Sequence, residues 1–310
     1  MSRQLDAYGR ILVIKLGALG DFVQAMGPAA AIRRAHPSAK ITLLTTKPYA
    51  ELGRAAPYFD EVWIDRRPKF LDLSGWIALA RQLRSGGFER VYDLQTSDRS
   101  SFYYRLMGRV EWSGIARGAS HPHANPNRDH IHTIDRQRDQ LRLAGINEVP
   151  PPDLSWAARD VAGLDLPEKF ILMVPGGSAH RPEKRWPAES YGELAAWAFG
   201  KGISTIVLGG DIERPLAAAI RERSPQAIDL TGRTSFGEIV GLAGRAIHAV
   251  GNDTGPMHLA AAGGAPSTVL YSAASDPALT QPYGKAVTVL RRANLSDLRV
   301  EEVAATLAIG

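Results

Sequence analysis

The chain has no cysteine among its 310 residues, so disulfides and thiolate metal sites are excluded. It has no apolar run near the ~20 residues that a membrane-spanning helix needs. Residues 1–10 lack the apolar core of a signal peptide. We therefore expect a cytoplasmic protein in a reducing compartment. The glycine patterns of three large enzyme classes are also missing. Gly17-Ala-Leu-Gly20 is followed by Asp21-Phe22, where a nucleoside-triphosphate loop needs Lys and then Ser or Thr. The third glycine of the dinucleotide fingerprint is absent. No Gly-x-Ser-x-Gly elbow occurs, and no repeat is apparent.

What is present is ordinary globular material, 45% hydrophobic and 22% charged. The length suits about two domains of ~150 residues. Charge is unevenly spread. Residues 1–150 hold 22 Lys and Arg against 15 Asp and Glu, whereas residues 151–310 hold 15 against 17. A basic half suits an anionic partner: a phosphorylated substrate, a membrane surface or nucleic acid. The plainer alternative is a solvated surface with an incidental excess.

Strand and helix patterns alternate along the whole chain. Short apolar runs at 10–16, 41–45, 61–65 and 90–94 read as strands of a first half. Runs at 170–174, 204–208, 246–250, 267–270 and 286–290 read as strands of a second. Helical periods fall between them, one at 22–36 disturbed by Gly27-Pro28. Pro150-Pro151-Pro152 marks the boundary, giving domains 1–150 and 151–310. The last helix, 296–307, could pack back on the first domain. This is an α/β pattern: two doubly wound, Rossmann-like domains whose ligands sit beyond the carboxyl ends of their strands, in a cleft between them.

Three stretches could carry chemistry at those ends. Asp21 follows the first strand and a pair of glycines. It is either a helix cap or a general base toward a hydroxyl. Arg181, Lys184 and Arg185 follow the Pro175-Gly-Gly177-Ser178 turn. They are either solvated and balanced by Glu183 and Glu189, or they neutralise a diphosphate. Val250-Gly-Asn-Asp-Thr-Gly-Pro-Met-His258 runs from a strand into a helix that Asp253 can cap, with Pro256 in its first turn. Such a helix start is a seat for phosphate. His258 reads as a packing histidine. His121, His123, His130 and His132 lie in a polar stretch, 113–135, read as a loop. Without acidic partners at ligand spacing they make a poor metal site.

Together, Ile11-Leu-Val-Ile-Lys-Leu-Gly-Ala-Leu-Gly-Asp21, Lys184-Arg-Trp-Pro187 and Gly251-Asn-Asp-Thr-Gly-Pro-Met-His258 resemble glycosyltransferase family 9, the lipopolysaccharide heptosyltransferases. The resemblance spans nearly the whole chain. It implies a GT-B fold, with an N-terminal acceptor domain facing a C-terminal nucleotide-sugar domain across a cleft. It implies inverting transfer without metal or cofactor. The donor would be ADP-L-glycero-β-D-manno-heptose. The acceptor would be an anionic glycolipid, the lipopolysaccharide inner core, met at the inner face of the bacterial inner membrane. Nucleic acid is not an expected partner.

By position, Asp21 resembles the general base and Lys184 the donor-phosphate lysine. Asp253 resembles the aspartate near the donor sugar, with Thr254 and Gly255 at the diphosphate. Gly177, Ser178, Arg181 and Glu213 complete the expected donor side, Glu213 toward the nucleotide ribose. Gly17, Gly20 and Gln95 are the expected acceptor side. One departure bears on the sugar: Ser272-Ala-Ala-Ser275 stands before Asp276-Pro277 where family members often carry a Gly-Pro-Thr-like loop. A transferase with another sugar or acceptor, a nucleotide-dependent oxidoreductase and a non-catalytic binding protein stay open as alternatives.

Overall fold

The computed structural model describes residues 8–177 and 181–307 and divides into two compact units, Met1–Pro152 and Asp153–Gly310. Ser178, one of the expected donor residues, lies outside the described residues. The first unit runs β1 (Arg10–Ile14), α1 (Leu19–Gln24), α2 (Met26–Ala35), β2 (Lys40–Thr45), α3 (Ala50–Ala55) and β3 (Glu61–Ile64). It continues with α4 (Leu73–Ser85), β4 (Arg90–Asp93), α5 (Asp98–Met107), β5 (Glu111–Gly114), β6 (His121–Pro122) and α6 (Thr133–Leu143). The strands form one parallel sheet in the order β3-β2-β1-β4-β5-β6.

The central strands are apolar runs because helices cover both faces of a parallel sheet. Ile11, Leu12, Val13 and Ile14 are all fully buried. Leu79, Leu83, Tyr103 and Trp112 pack on Leu12 and Ile14 to form a core. The helix expected at 22–36 is two helices. Pro28 stands four residues after Gln24, where its ring collides with the Gln24 carbonyl of a continuing helix, so α1 ends at Gln24. The stretch read as a loop at 113–135 carries the end of β5, all of β6 and a 3₁₀ turn at Arg128–His130. Two short strands leave no apolar period to read.

The second unit runs β7 (Phe170–Val174), α7 (Ala188–Gly200), β8 (Ser204–Val207), α8 (Arg214–Arg223), β9 (Ile228–Asp229) and α9 (Phe236–Arg245). It ends with β10 (His248–Asn252), α10 (Gly255–Ala262), β11 (Ser267–Tyr271), α11 (Pro277–Thr280), β12 (Val287–Arg291) and α12 (Val300–Ala304). Its parallel sheet has the order β12-β11-β10-β7-β8-β9. Counted from its own first strand, this is the same order as in the first unit. Ser235 caps α9 through a reciprocal pair with Glu238. α12 buries Val303 and Ala304 in the core of the second unit, against α7.

In each sheet the winding direction reverses between the first and fourth strands, β1 and β4 or β7 and β10. Ligands of such sheets sit at this reversal, beyond the carboxyl ends.

Candidate active site

In the first unit the chain leaves β1 through Lys15 and Leu16, both buried, and turns at Gly17. Gly17 has φ +128°, and a Cβ there would lie 2.5 Å from the Tyr49 ring. Only glycine fits this turn. Gly20 does not belong to it: α1 has already begun at Leu19. Asp21 is therefore not the cap. Ala18 holds that position with no side-chain bond, and the Asp21 carboxylate is half-buried in the first turn, near the positive end of the helix. Phe22 stacks on Tyr49 at 5.3 Å between ring centroids and fixes the turn from below. Burial raises the Tyr49 phenol, and the charge of Asp21 raises it further.

β4 supplies the other side of the reversal. Gln95 Oε1 accepts from Leu16 N at 2.8 Å, tying the two strand ends together. Asp93 is fully buried, and burial pushes its carboxyl up to about 6. Its Oδ1 accepts from Gln95 N and Thr96 N at 3.1 and 2.9 Å, shaping the turn. Lys15 Nζ donates to Leu94 O at 3.1 Å. Burial draws the Lys15 ammonium below its usual range, against the opposing pull of Asp21 and Asp93. A cavity of about 280 Å³ opens here, lined by Lys15, Asp21, Gln95, Thr96, Arg128 and Arg136 among others. Arg128 reaches it by donating to Thr96 Oγ1 at 2.6 Å. Asp129 lines the cavity too, 3.6 Å from Arg128 and 3.7 Å from Arg136, so two carboxylates stand among three cations. A carboxylate placed at such a cavity can take a proton from a hydroxyl, and the net positive lining suits a molecule that is anionic.

The histidines of this segment have other work. His123 bonds Asp139 at 3.0 Å, and His132 Nδ1 accepts from Ile134 N at the start of α6. Among the described residues no three His, Cys, Asp or Glu side chains gather as a metal ion requires.

In the second unit, β7 ends at Val174 and the chain turns through Pro175, Gly176 and Gly177. Gly176 and Gly209 lie against the stem of Glu213, where a Cβ would come within 2.8 and 2.7 Å of its carbons. Glu213 closes its own turn by accepting from Gly210 N at 2.8 Å. Arg185 clamps the glycine turn by donating to Gly177 O at 2.9 Å. Arg181 is exposed at the start of the one-turn 3₁₀ helix Pro182–Lys184.

Lys184 is balanced by neither Glu183 nor Glu189. Its Nζ lies 2.9 Å from Asp253 Oδ2, with the two side chains 14% and 11% exposed. The pair joins the loop after β7 to the loop after β10, across the reversal of the sheet. Asp253 consequently does not cap α10. Thr254 occupies the cap position, no side chain caps the helix, and Pro256 lies in its first turn. Gly255 begins the helix. His258 is buried in α10.

The residue that sequence reading missed is Asn252, fully buried at the end of β10. Its amide donates to Pro175 O at 2.7 Å and Gly176 O at 3.0 Å. Its Oδ1 accepts from Trp186 N at 3.0 Å and Tyr191 OH at 3.1 Å. One side chain thus holds the glycine turn, the Lys184 loop and α7 in register. An asparagine inside the β10 motif was the available signal. Lys15, a cation ending an apolar strand, was the corresponding signal in the first unit.

Residues 76–305 match the pattern described as glycosyltransferase family 9 (heptosyltransferase). Lipooligosaccharide heptosyltransferase 2 of Haemophilus influenzae is 32% identical over 131 residues, which is 41% of this chain and 38% of that protein. Lipopolysaccharide core heptosyltransferase OpsX of the same organism is 23% identical over 304 residues, covering 90% of this chain and 83% of its own. The structure of E. coli heptosyltransferase WaaC with ADP superposes with a TM-score of 0.77 at 21% identity, covering 96% of this chain and 98% of that one. The likeness to the solved structure establishes the fold, GT-B, and the family pattern spans most of the chain. The chain belongs to glycosyltransferase family 9, the heptosyltransferase family, and is a glycosyltransferase.

Proposed function

We propose that this glycosyltransferase inverts the anomeric centre without metal, moving heptose from ADP-L-glycero-β-D-manno-heptose to an anionic inner-core lipopolysaccharide acceptor. The observation that carries the reading is the Lys184–Asp253 pair beside the uncapped start of α10, at the strand reversal of one sheet. An ammonium has three donors, so Lys184 can keep Asp253 and still bond a diphosphate oxygen. Backbone N–H groups at Thr254 and Gly255 favour the same charge. These groups stabilise the departing ADP in the role that a metal would otherwise take. Glu213, at the Gly176 and Gly209 turns, is the candidate for the nucleotide ribose. Arg181 and Gly177 belong to the same donor side. ADP as the nucleotide is supported by the E. coli relative of like fold, solved with ADP.

Asp21 acts from the first unit. Its carboxylate takes the proton of the acceptor hydroxyl as the oxygen attacks the anomeric carbon. Attack comes from the face opposite the diphosphate, the carbon–oxygen bond to phosphate breaks, and ADP leaves with the electron pair. Gly17 and Gln95 hold the turn beside it, and Lys15, Arg128 and Arg136 suit an anionic acceptor. Peripheral contact with the inner membrane follows from such an acceptor.

Calorimetric titration without added metal tests the donor. ADP and ADP-heptose should bind, and UDP-glucose, GDP-mannose and NADH should not. Preference for another nucleotide-sugar would keep the fold and replace the substrate. Binding of NADH alone would overturn the transferase chemistry.

A further inference from the structure

Five of the eight large hydrophobic side chains exposed among the described residues gather in one place: Phe70, Leu71, Leu73 and Ile77, with Phe102 beside them. Phe70 is 89% exposed, Leu71 86% and Leu73 74%. The other three, Leu143, Phe199 and Ile212, lie elsewhere in the sequence. Leu73 and Ile77 are one turn apart on α4, so they share a face, and Arg81 continues it.

This segment is built to hold its apolar groups outward. Pro68 is buried, and its carbonyl accepts from Arg99 at 3.0 Å. Trp76 Nε1 donates to Lys69 O at 3.0 Å, and the Arg99 guanidinium lies 5.1 Å from the Trp76 ring centre. Phe102 meets Trp76 edge to face at 5.2 Å. Arg67 adopts a left-handed φ of +51°, and its N–H donates to Asp65 at 2.7 Å. An ordered loop that presents Phe and Leu to water marks an interaction surface.

Charge identifies the partner. Residues 66–84 carry Arg66, Arg67, Lys69, Arg81 and Arg84 against one acid, Asp72. The Asp72 carboxylate is engaged in capping α4, accepting from Gly75 N at 2.8 Å. A twofold contact between copies would set this cationic patch against itself. Phe and Leu side chains ringed by Arg and Lys suit the interface of an anionic lipid bilayer.

We propose that residues 66–77 with Phe102 dock the chain on anionic phospholipid surfaces. The loop leaves the carboxyl end of β3, the same end of the first sheet as Asp21, so docking brings that end to the headgroup layer. The inference does not rest on the transfer reaction, and its test uses neither donor nor acceptor.

The test is sedimentation of the full chain with phosphatidylcholine vesicles, alone and mixed with phosphatidylglycerol. Wild type should bind the anionic vesicles, less so as salt rises. Phe70→Ser with Leu71→Ser and Leu73→Ser should lower binding by at least about tenfold. Arg66→Glu with Arg67→Glu and Lys69→Glu should lower it by about fivefold or more per cation. All these side chains are exposed, and circular dichroism checks each fold. Failure of wild type to bind, equal binding to neutral vesicles, or undiminished binding by folded variants would overturn the proposal. So would wild-type self-association that the serine variant abolishes, which would make the patch a contact between copies.

Discussion

At the scale of single residues, the proposed chemistry turns on Asp21 and on the Lys184–Asp253 pair. Asp21 sits in the first turn of α1, beside a cavity lined by Lys15, Arg128 and Arg136. Asp21→Asn should keep the fold and the donor affinity, and lose ~10²–10⁴-fold in turnover. Turnover near wild type in the folded variant would remove the base. Lys184→Ala should lower kcat by ~10²-fold, the scale of one lost electrostatic stabiliser. It should also lower Tm, because Asp253 is only 11% exposed and would lose its partner. A lower Tm with an unchanged rate would leave Lys184 a structural role only. That these stretches stand beyond the carboxyl ends of strands was legible; which residues they touch was not. Lys184 and Asp253 stand 69 positions apart, and nothing local in either stretch announces the ion pair. Reading Asp253 as a cap missed by one residue, because Thr254 and an acidic neighbour are equally good caps in a bare sequence.

At the scale of elements, β1 and β7 were legible because each is a continuous apolar run closed by glycine, and a buried parallel strand needs nothing else. β6 and β9, at two residues each, are too short to show a period. Element junctions depend on buried polar groups. Asn252 ties β10 to the loops after β7 and to α7, so Asn252→Ala should cost the second unit about 3 kcal/mol by leaving buried partners unsatisfied. Urea unfolding followed by tryptophan fluorescence and circular dichroism checks this, and a change below about 1 kcal/mol would contradict it. β10 also carries His248, whose Nε2 lies 2.8 Å from Thr268 Oγ1 on β11. Burial holds His248 down at about 4, from a usual 6.5. The unfolded chain therefore binds the extra proton first. The stability this neutral histidine contributes is complete above pH 6.5 and is lost as pH falls toward 4. Between pH 7 and pH 4 the stability difference between wild type and His248→Gln should shift by about 3 kcal/mol against wild type. Parallel stability curves for the two proteins would contradict the assignment.

At the scale of the whole molecule, each unit has its own sheet, its own core and its own strand reversal. All the residues proposed for the nucleotide belong to the second unit. Residues 153–310 expressed alone should therefore melt cooperatively and bind ADP within about tenfold of the full chain's affinity. Failure to fold, or a far larger loss of affinity, would show that the first unit is needed for the nucleotide. Neither unit alone should transfer sugar, because the proposed base stands in one and the proposed leaving-group stabilisers in the other. The most direct measurement is the reaction of the full chain with ADP-L-glycero-β-D-manno-heptose and an inner-core acceptor in excess chelator, with the new linkage read by NMR. Inverting transfer should release one ADP per sugar transferred and give an α linkage from the β donor. A β-linked product, dependence on added metal, or no transfer at all would contradict it.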